Sequence, residues 1–314
     1  VDYWFAPDTQ LELLSLLREI EKLEDGDERA FFLLTFSSII ITKSGGVSLA
    51  LDLAHTRPHR AHVVVRENGA EASDGEVAGE TRRHLRKILR PALDEFAKKY
   101  RQNVRIALED RPDIGRAMLA FGNAQSLPLD AGSVDLIVTS PPYASNAIDY
   151  MRAHKFSLVW LGHSIEDLGQ KRREYIGGET PIGVNGRTMT PGVTAVTARV
   201  AQASAAKGHA LRRYYAEMTD VLSEMFRVLK PGKAAIVVVG NSILAGEDIR
   251  IHHCLAETGM SLGFDVLGIG VRQLDRDRRM MPASTRIDRS SQIQQRMHEE
   301  YVIGFYKPDQ SPVE

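Results

Sequence analysis

Residues 134–143 read VDLIVTSPPY, and this stretch decides the interpretation of the whole chain. It opens with an apolar run that is broken only by Asp135, a pattern typical of a strand buried in a parallel sheet. Two successive prolines then force a stiff turn, because proline donates no backbone hydrogen bond and its ring fixes φ. Beside the free carbonyl groups of that turn stand the hydroxyl of Ser140 and the flat ring of Tyr143. The sequence therefore predicts a turn that can hold a planar amine.

This turn resembles a known family, the DNA methyltransferases that modify an exocyclic amine and carry an acidic residue or Ser before Pro-Pro-Tyr. Serine in the first position resembles the cytosine-N4 branch, whereas Asp or Asn is typical of the adenine-N6 enzymes. The resemblance continues downstream in the stretches DYMR (149–152), HKFSLVWLG (154–162) and YIG (175–177). It covers about residues 122–306 and is weaker upstream.

The resemblance implies a role for each residue of the turn. Ser140 and the carbonyl of Pro141 would accept the protons of a cytosine N4 amine, and Pro142 would keep the turn rigid. Tyr143 would stack on the base after it has left the DNA helix, which costs a few kcal/mol. S-adenosylmethionine would be the methyl donor and double-stranded DNA the substrate, as in restriction-modification systems. No strong base is needed, because the donor sulfonium already activates the methyl group.

Two alternatives to this function stay open. Related Pro-Pro-Tyr turns serve several planar amines, so an RNA or adenine-N6 methyltransferase is the nearest catalytic alternative. An alternative of another class is a non-catalytic, nucleic-acid-binding fragment with a methyltransferase fold. The absence of a glycine-rich cofactor unit favours the fragment, whereas the intact turn argues against it.

The cofactor site is the part of the resemblance that departs from the family. A strand, a glycine-rich turn and a helix normally open such a domain, because glycine lets the backbone approach the ligand. The sequence contains no such unit; in the resembling subgroup it lies N-terminal to a segment like DYWF (2–5). We therefore expect an upstream segment or a partner chain to carry it. The cofactor-binding candidates in this chain are Gly122, Asn123, Asp135, Thr139, Gly240 and Asn241, with Asp135 also open to a purely structural role.

Composition excludes several other classes. With 314 residues and 43% hydrophobic content, the chain can bury one large domain, or one domain and an appendage. The single Cys254 excludes an internal disulfide and a cysteine-built zinc site, and fits the cytoplasm. No histidine set has metal-ligand spacing, and no apolar run is long enough for a membrane span. A net charge of -1 predicts no overall electrostatic attraction to nucleic acid, so DNA binding would depend on local clusters of basic residues.

Two clusters of basic residues are candidates for phosphate binding. The first, on a predicted helix, comprises Arg82, Arg83, Arg86, Lys87 and Arg90. The second surrounds a predicted loop after a strand and is the better DNA candidate, with Arg272, Arg276, Arg278 and Arg279. Arg152 and Lys155 lie on the helix after the Pro-Pro turn, where Arg152 could equally form a surface pair with Asp149.

The predicted fold is α/β: a doubly wound, Rossmann-type, methyltransferase-like mixed sheet with a helical N-terminal appendage. The appendage spans residues 1–103 with a loop-rich insertion, and the catalytic core spans 104–314 with a flexible loop at 177–208. The first helix is expected to bury Leu11, Leu14, Leu17 and Ile20. Predicted helices cover 8–23, 28–41, 78–101, 149–161, 210–229 and 250–262. Predicted strands cover 63–65, 116–122, 134–139, 234–240, 264–273 and 300–306.

Overall fold

A computed structural model describes residues 1–40, 46–51, 60–79, 83, 85–107, 115–144, 150–177, 188–240, 242–273 and 299–309. The chain forms two compact units. One comprises Val1–Ala117 with Asp149–Gln170, and the other comprises Met118–Ile148 with Lys171–Glu314. This division differs from the predicted boundary after residue 103, which placed 149–170 in the same domain as the main sheet.

The first unit combines helices with a small sheet. Its three strands have the order β2-β1-β3, with β1 and β2 antiparallel and β1 and β3 parallel. A further helix, α5 (Ile165–Glu174), begins in this unit. The other elements are α1 (Pro7–Glu21), α2 (Asp27–Ile40), β1 (Val63–Val65), β2 (Glu71–Ser73), β3 (Arg86–Ile88), α3 (Ala92–Ala107) and α4 (Tyr150–Trp160).

The core of the first unit confirms α1 but corrects its buried face. Leu13, Leu17 and Ile20 are buried, whereas Leu11 and Leu14 are 67% and 42% exposed. The sequence contains two overlapping apolar rows at helical spacing, and only the row beginning at Thr9 packs against α2 and α3. Periodicity alone does not decide between two such rows.

The helix predicted at 78–101 is not continuous: residues 79 and 83 are helical, but a strand and a break follow. Residues Arg86–Ile88 form β3 instead, and α3 begins only at Ala92. Pro91 explains the break, since a proline has no amide to continue a helix but is well tolerated where one begins. The carboxylate of Glu12 accepts hydrogen bonds from the amides of Ala92 and Leu93 and so caps α3 from another helix.

The second unit contains a four-stranded mixed sheet with the order β4-β5-β9-β8. Strand β4 is parallel to β5, and β9 is antiparallel to both of its neighbours. The predicted α/β class with a mixed sheet is confirmed. The elements are β4 (Val134–Thr139), α6 (Pro191–Ala203), α7 (Ala205–Val228), β5 (Leu229–Gly240), β6 (Ile243–Leu244), β7 (Glu247–Asp248), α8 (Ile251–Ser261), β8 (Asp265–Gln273) and β9 (Glu299–Tyr306).

Helices α6, α7 and α8 bury their apolar residues together with one face of this sheet. The shared cluster includes Tyr214 and Leu222 from α7, and Val237 and Phe305 from the two central strands. Leu136 and Val138 of β4 point to the opposite face of the sheet and are 58% and 67% exposed. Within the described residues, helices therefore cover only one of the two faces of this sheet.

Two predictions in this unit are wrong. The loop predicted at 177–208 contains helix α6, whose residues Val193, Val196 and Val200 are buried at helical spacing; residues 178–187 lie outside the described part. The strand predicted at 116–122 is absent, since residues 115–122 have no regular structure and Leu119 and Phe121 are fully exposed. A strand needs a neighbour for its backbone groups, and none of the described strands pairs with this segment.

Candidate functional site

The Pro-Pro turn leaves the sheet at the carboxyl end of β4, as predicted. Thr139, the last residue of β4, pairs with Val237 of β5. Ser140 is exposed, Pro141 is buried, and Tyr143 is half-buried against the core of the unit. The serine hydroxyl is therefore available to a ligand, while the proline after it anchors the turn. Open α/β sheets bind ligands at this edge.

Two other predicted residues lie at the same edge of the sheet. Gly240 ends β5 and pairs with Glu300 of β9, which in turn pairs with Arg272 of β8. The guanidinium of Arg272 forms an ion pair with the carboxylate of Glu300. The edge that carries Ser140 thus also carries a cation at the end of β8. Asn241, Arg276, Arg278 and Arg279 lie outside the described residues.

Asp135 is held at the other end of β4. Its carboxylate contacts the ammonium groups of Lys230 at 2.7 Å and Lys233 at 3.4 Å, both near the start of β5. The hydrogen bond from Lys230, followed by that from Lys233, lowers the pKa of Asp135. The structure does not bring Asp135 together with Ser140, and its contacts agree with the structural role.

Asn123 begins a turn whose continuation is fixed to α7. Its side-chain oxygen accepts a hydrogen bond from the amide of Gln125 at 3.0 Å, while Gly122 packs near Pro128. Further along, the amide of Leu127 donates to Glu224 at 2.8 Å. The hydrogen bond from Arg227, with that from Leu127, lowers the pKa of Glu224 to about 2. Because the Asn123 oxygen already has a donor, a cofactor would have to share or replace that contact.

The first basic cluster does not form a helical face. Arg86 and Lys87 lie on strand β3, and Arg82 lies outside the described residues. Lys87 is 7% exposed, its ammonium donates to the carbonyl of Ala50, and burial lowers its pKa to about 8. Lys87 is therefore a core residue. Arg152 and Lys155 both belong to α4 in the first unit, where Lys155 is half-buried.

His252 is a notable residue that the sequence did not single out as buried. It lies near the start of α8, is 9% exposed, and stacks on Tyr301 of β9 with 3.6 Å between ring centroids. Its Nδ1 is buried and has no hydrogen-bond partner among the described residues. Burial, and then the neighbouring His253, lower the pKa of His252 to about 4. The adjacent histidines were visible in sequence, but the stacking depends on a strand 49 positions away.

We expect His252 to make the protein less stable in mild acid. Its pKa in the folded state is about 4, below the ordinary value of 6.5, so only the unfolded chain takes up a proton between these values. Stability is therefore full above pH 6.5 and falls as the pH drops to 4, by about 3 kcal/mol in total, of which about 2 kcal/mol is lost between pH 7 and pH 5. Urea unfolding at pH 7 and pH 5 measures this loss. The variant His252→Phe should keep the stacking and show a smaller loss than wild type, whereas the control His209→Phe, at an exposed position of α7, should match wild type.

Neither a metal-ion site nor a membrane-spanning helix is found among the described residues. Among them, no group of three or more His, Cys, Asp or Glu side chains is placed to hold a metal ion. None of the helices described above is both long and apolar enough to cross a membrane.

Comparison with known proteins gives a partial match. No protein-family model matches the chain. The type II methyltransferase M.AvaI, from Nostoc sp. PCC 7120 and from Anabaena variabilis, is 24% identical over an alignment of 204 residues, and the match covers 55% of this chain and 42% of the relative. The chain thus matches less than half the length of these relatives.

Two solved structures show a weak likeness. A proposed DNA modification methylase from Thermus thermophilus, complexed with S-adenosyl-L-methionine, is 19% identical over 62% of this chain and 55% of its own, with a TM-score of 0.31. An S-adenosylmethionine-dependent methyltransferase from Methanosarcina mazei is 12% identical over 68% of this chain and 79% of its own, with a TM-score of 0.32. The description of the fold rests on the strand pairing in this chain, not on these scores.

Proposed function

We propose that the chain is the catalytic part of an S-adenosylmethionine-dependent DNA methyltransferase that modifies the N4 amine of cytosine. The observation that carries this proposal is the position of Ser140 and the two prolines, at the carboxyl end of a strand inside an α/β sheet. The likeness to M.AvaI supports methyl transfer to DNA. Serine in the first position of the motif supports cytosine over adenine.

The residues of the turn would act on the amine protons. The nitrogen lone pair of cytosine N4 is delocalised into the ring, so the amine becomes a nucleophile only when acceptors draw on its hydrogens. The exposed hydroxyl of Ser140 and the carbonyl of Pro141 are those acceptors. The proton released after transfer goes to water, either directly or through the Ser140 hydroxyl, which accepts it and passes its own proton on. Tyr143 stacks on the base and offsets part of the cost of extracting it.

The methyl donor fits the described residues only in part. Thr139 and Gly240 place backbone at the ligand-binding edge of the sheet, but no glycine-rich turn accompanies them. When bound, S-adenosylmethionine would supply an electrophilic methyl group. We propose that an upstream segment or a partner chain provides the rest of its site.

The outer edge of β4 supports such an addition. Among the described strands β4 pairs with β5 alone, and Leu136 and Val138 are exposed beside that edge. Leu119 and Phe121 are apolar, exposed and unpaired just before β4. An unpaired strand edge with apolar side chains is a place where another strand can add. A segment that adds there would pair with the backbone groups along the outer edge of β4.

Titration calorimetry with S-adenosylmethionine and no nucleic acid tests how the donor site is formed. Saturable binding would show that this chain forms the site unaided and would contradict the need for a second segment. Absence of heat from a folded sample would agree with it. Mass spectrometry of nucleosides, after incubation with the donor and either DNA or RNA, tests the reaction itself. We expect N4-methylcytosine from DNA, and methyladenine would overturn the cytosine assignment.

The second basic cluster supplies a prediction about DNA binding. The double variant Arg278→Glu with Arg279→Glu should lower DNA affinity and flatten its salt dependence, because a protein with fewer phosphate contacts releases fewer counterions. Binding isotherms at several salt concentrations measure both effects. The control Lys22→Glu with Lys98→Glu changes the net charge equally at two exposed side chains of the first unit, one just after α1 and one on α3. Equal losses in both double variants would mean that net charge matters and the cluster does not.

A further inference from the structure

Residues 123–133, the linking segment that leads into β4, are held by one face of helix α7. Three side chains of that face make the contacts: Asp220, Glu224 and Arg227. Nε2 of Gln125 donates to the carboxylate of Asp220 at 3.3 Å, and the amide of Leu127 donates to Glu224 at 2.8 Å. Because residues three and four apart share a helix face, these contacts follow one line along α7.

Arg227 uses its whole guanidinium group in this arrangement. Nε and Nη2 donate to the two carboxylate oxygens of Glu224, each at 2.8 Å. Nη1 donates to the carbonyl of Leu129 at 2.9 Å, and Nη2 also donates to that of Leu127 at 3.1 Å. A planar guanidinium can join a carboxylate and two carbonyls at once, whereas a lysine ammonium is a single point of contact. The side chain of Leu129 is 47% exposed, so these polar contacts hold the segment more than its burial does.

Regular structure does little to hold the same segment. Within the described residues it has one isolated bridge, between Asn123 and Ser126, and residues 115–122 before it are irregular and exposed. The position of the Asn123 turn, which comprises residues 122–126, therefore depends on the contacts with α7.

Helix α7 runs from the carboxyl edge of the sheet towards the opposite edge. The hydroxyl of Tyr215, in the first half of this helix, donates to the carbonyl of Ile249 at 3.1 Å. The amide of Ile249 donates in turn to the carbonyl of Ser242, just beyond the end of β5 at the carboxyl edge. The helix ends at Val228, immediately before β5 begins. Its first half is therefore nearer to the ligand-binding edge than its end is.

The linking segment follows α7 in the reverse direction. Leu129 contacts Arg227, close to the end of the helix. Gln125 contacts Asp220, which lies about 10 Å nearer to the carboxyl edge at the usual rise of an α-helix. Asn123 comes next, is exposed, and accepts a hydrogen bond from the amide of Gln125 at 3.0 Å. The contacts with α7 thus bring the Asn123 turn towards the edge at which open α/β sheets bind ligands.

We propose that Glu224 and Arg227 are positioning residues for the methyl donor: they hold the Asn123 turn where it forms this chain's part of the donor site. This inference rests on the proposed function, since it assigns a support to one of the donor-binding candidates of that function. Neither side chain touches the donor. They act from behind the turn, as residues that support a binding site on a segment without regular structure must.

The variant Arg227→Lys tests the inference, because it keeps the positive charge and removes the planar group. Hydrogen exchange of the peptide 122–130 is followed by mass spectrometry, with S-adenosylmethionine from zero to millimolar concentration. Without donor, this peptide should exchange about tenfold faster in the variant, since hydrogen bonds to a charged group are lost. In wild type the donor should slow the exchange. The donor concentration that gives half of this protection should rise about tenfold in the variant, because its site is less well preorganised.

A merely structural role of Arg227 predicts the first change without the second. Equal half-protection concentrations in Arg227→Lys and wild type would therefore overturn the inference. It would also be overturned if millimolar donor left the exchange of peptide 122–130 in wild type unchanged.

Arg199→Lys is the matched control. Arg199 of α6 forms an ion pair with Glu247 of β7 at 3.3 Å, in the same unit of the protein. Both measurements on peptide 122–130 should equal those of wild type. A separate assay of methyl transfer to DNA distinguishes this inference from the proposed function. Donor protection without transfer would contradict the function and leave the inference standing, whereas transfer without protection of the peptide would do the reverse.

Discussion

Ser140→Ala should lower the rate of methyl transfer by about a hundredfold, the usual effect of removing one group that accepts or donates a proton in a transition state. The hydroxyl of Ser140 is exposed at the carboxyl end of β4, while the proline after it is buried, so the substitution leaves the turn in place. DNA affinity and melting temperature should stay close to wild type. The loss should therefore fall on kcat, measured as methyl groups incorporated from labelled donor under saturating DNA.

Ser133→Ala is the control for this prediction. Ser133 is also an exposed serine of the same unit, but its hydroxyl donates to the carbonyl of Asp130 just before β4, away from the carboxyl end of the sheet. Its rate should equal that of wild type. A Ser140→Ala protein as active as the control would mean that the Pro141 carbonyl alone accepts the amine protons, and would contradict the role given to the serine.

Gly259→Ala should clearly destabilise the second unit. A Cβ atom at position 259 of α8 would lie 2.2 Å from Cε1 of Phe305, a fully buried residue of the central strand β9. Helix and sheet would have to separate or Phe305 would have to leave its rotamer, at a cost of about 1–3 kcal/mol. Thermal unfolding should show a melting temperature lower by several degrees, roughly 2–4 °C for each kcal/mol in a chain of this size.

A second glycine separates crowding from helix propensity. Gly169 also lies in a helix, α5, and nothing is within 4 Å of a Cβ built there. Gly169→Ala should raise stability slightly, because alanine is the better helix former by up to about 1 kcal/mol. If both variants shift the melting temperature alike, the close contact between α8 and β9 does not limit the packing of this unit.

The parts of the fold that the sequence predicted are those decided locally. The strand β4 and its turn are encoded by an apolar run and two prolines within ten positions, and helices α2, α7 and α8 by continuous periodicity. The strand predicted at 116–122 has a similar apolar pattern but does not form, because a strand depends on a partner that local pattern does not reveal. Residues Arg86–Ile88 were likewise predicted to be helical, but they form β3 because they pair with β1.

The residues of the candidate site also differ in whether the local sequence predicts them. Ser140 and Tyr143 were found because the motif is contiguous. His252 gave no such signal, since its burial and its stacking on Tyr301 depend on a strand 49 positions away in the chain. Lys87 was predicted to bind phosphate because it lies in a run of arginines, where a lysine is usually solvated. In the structure its ammonium is buried and donates to the carbonyl of Ala50.

The order of strands in the main sheet constrains how the protein is made. Strand β9 is the last described strand in the chain, yet it lies between β5 and β8. During synthesis β5 must wait with one edge unpaired, and β8 must wait without a described partner strand, until Glu299–Tyr306 leaves the ribosome. Sheet closure is therefore a late step that joins distant parts of the chain, which slows folding and prolongs exposure of apolar edges. Chaperone demand during expression should be greatest in that interval.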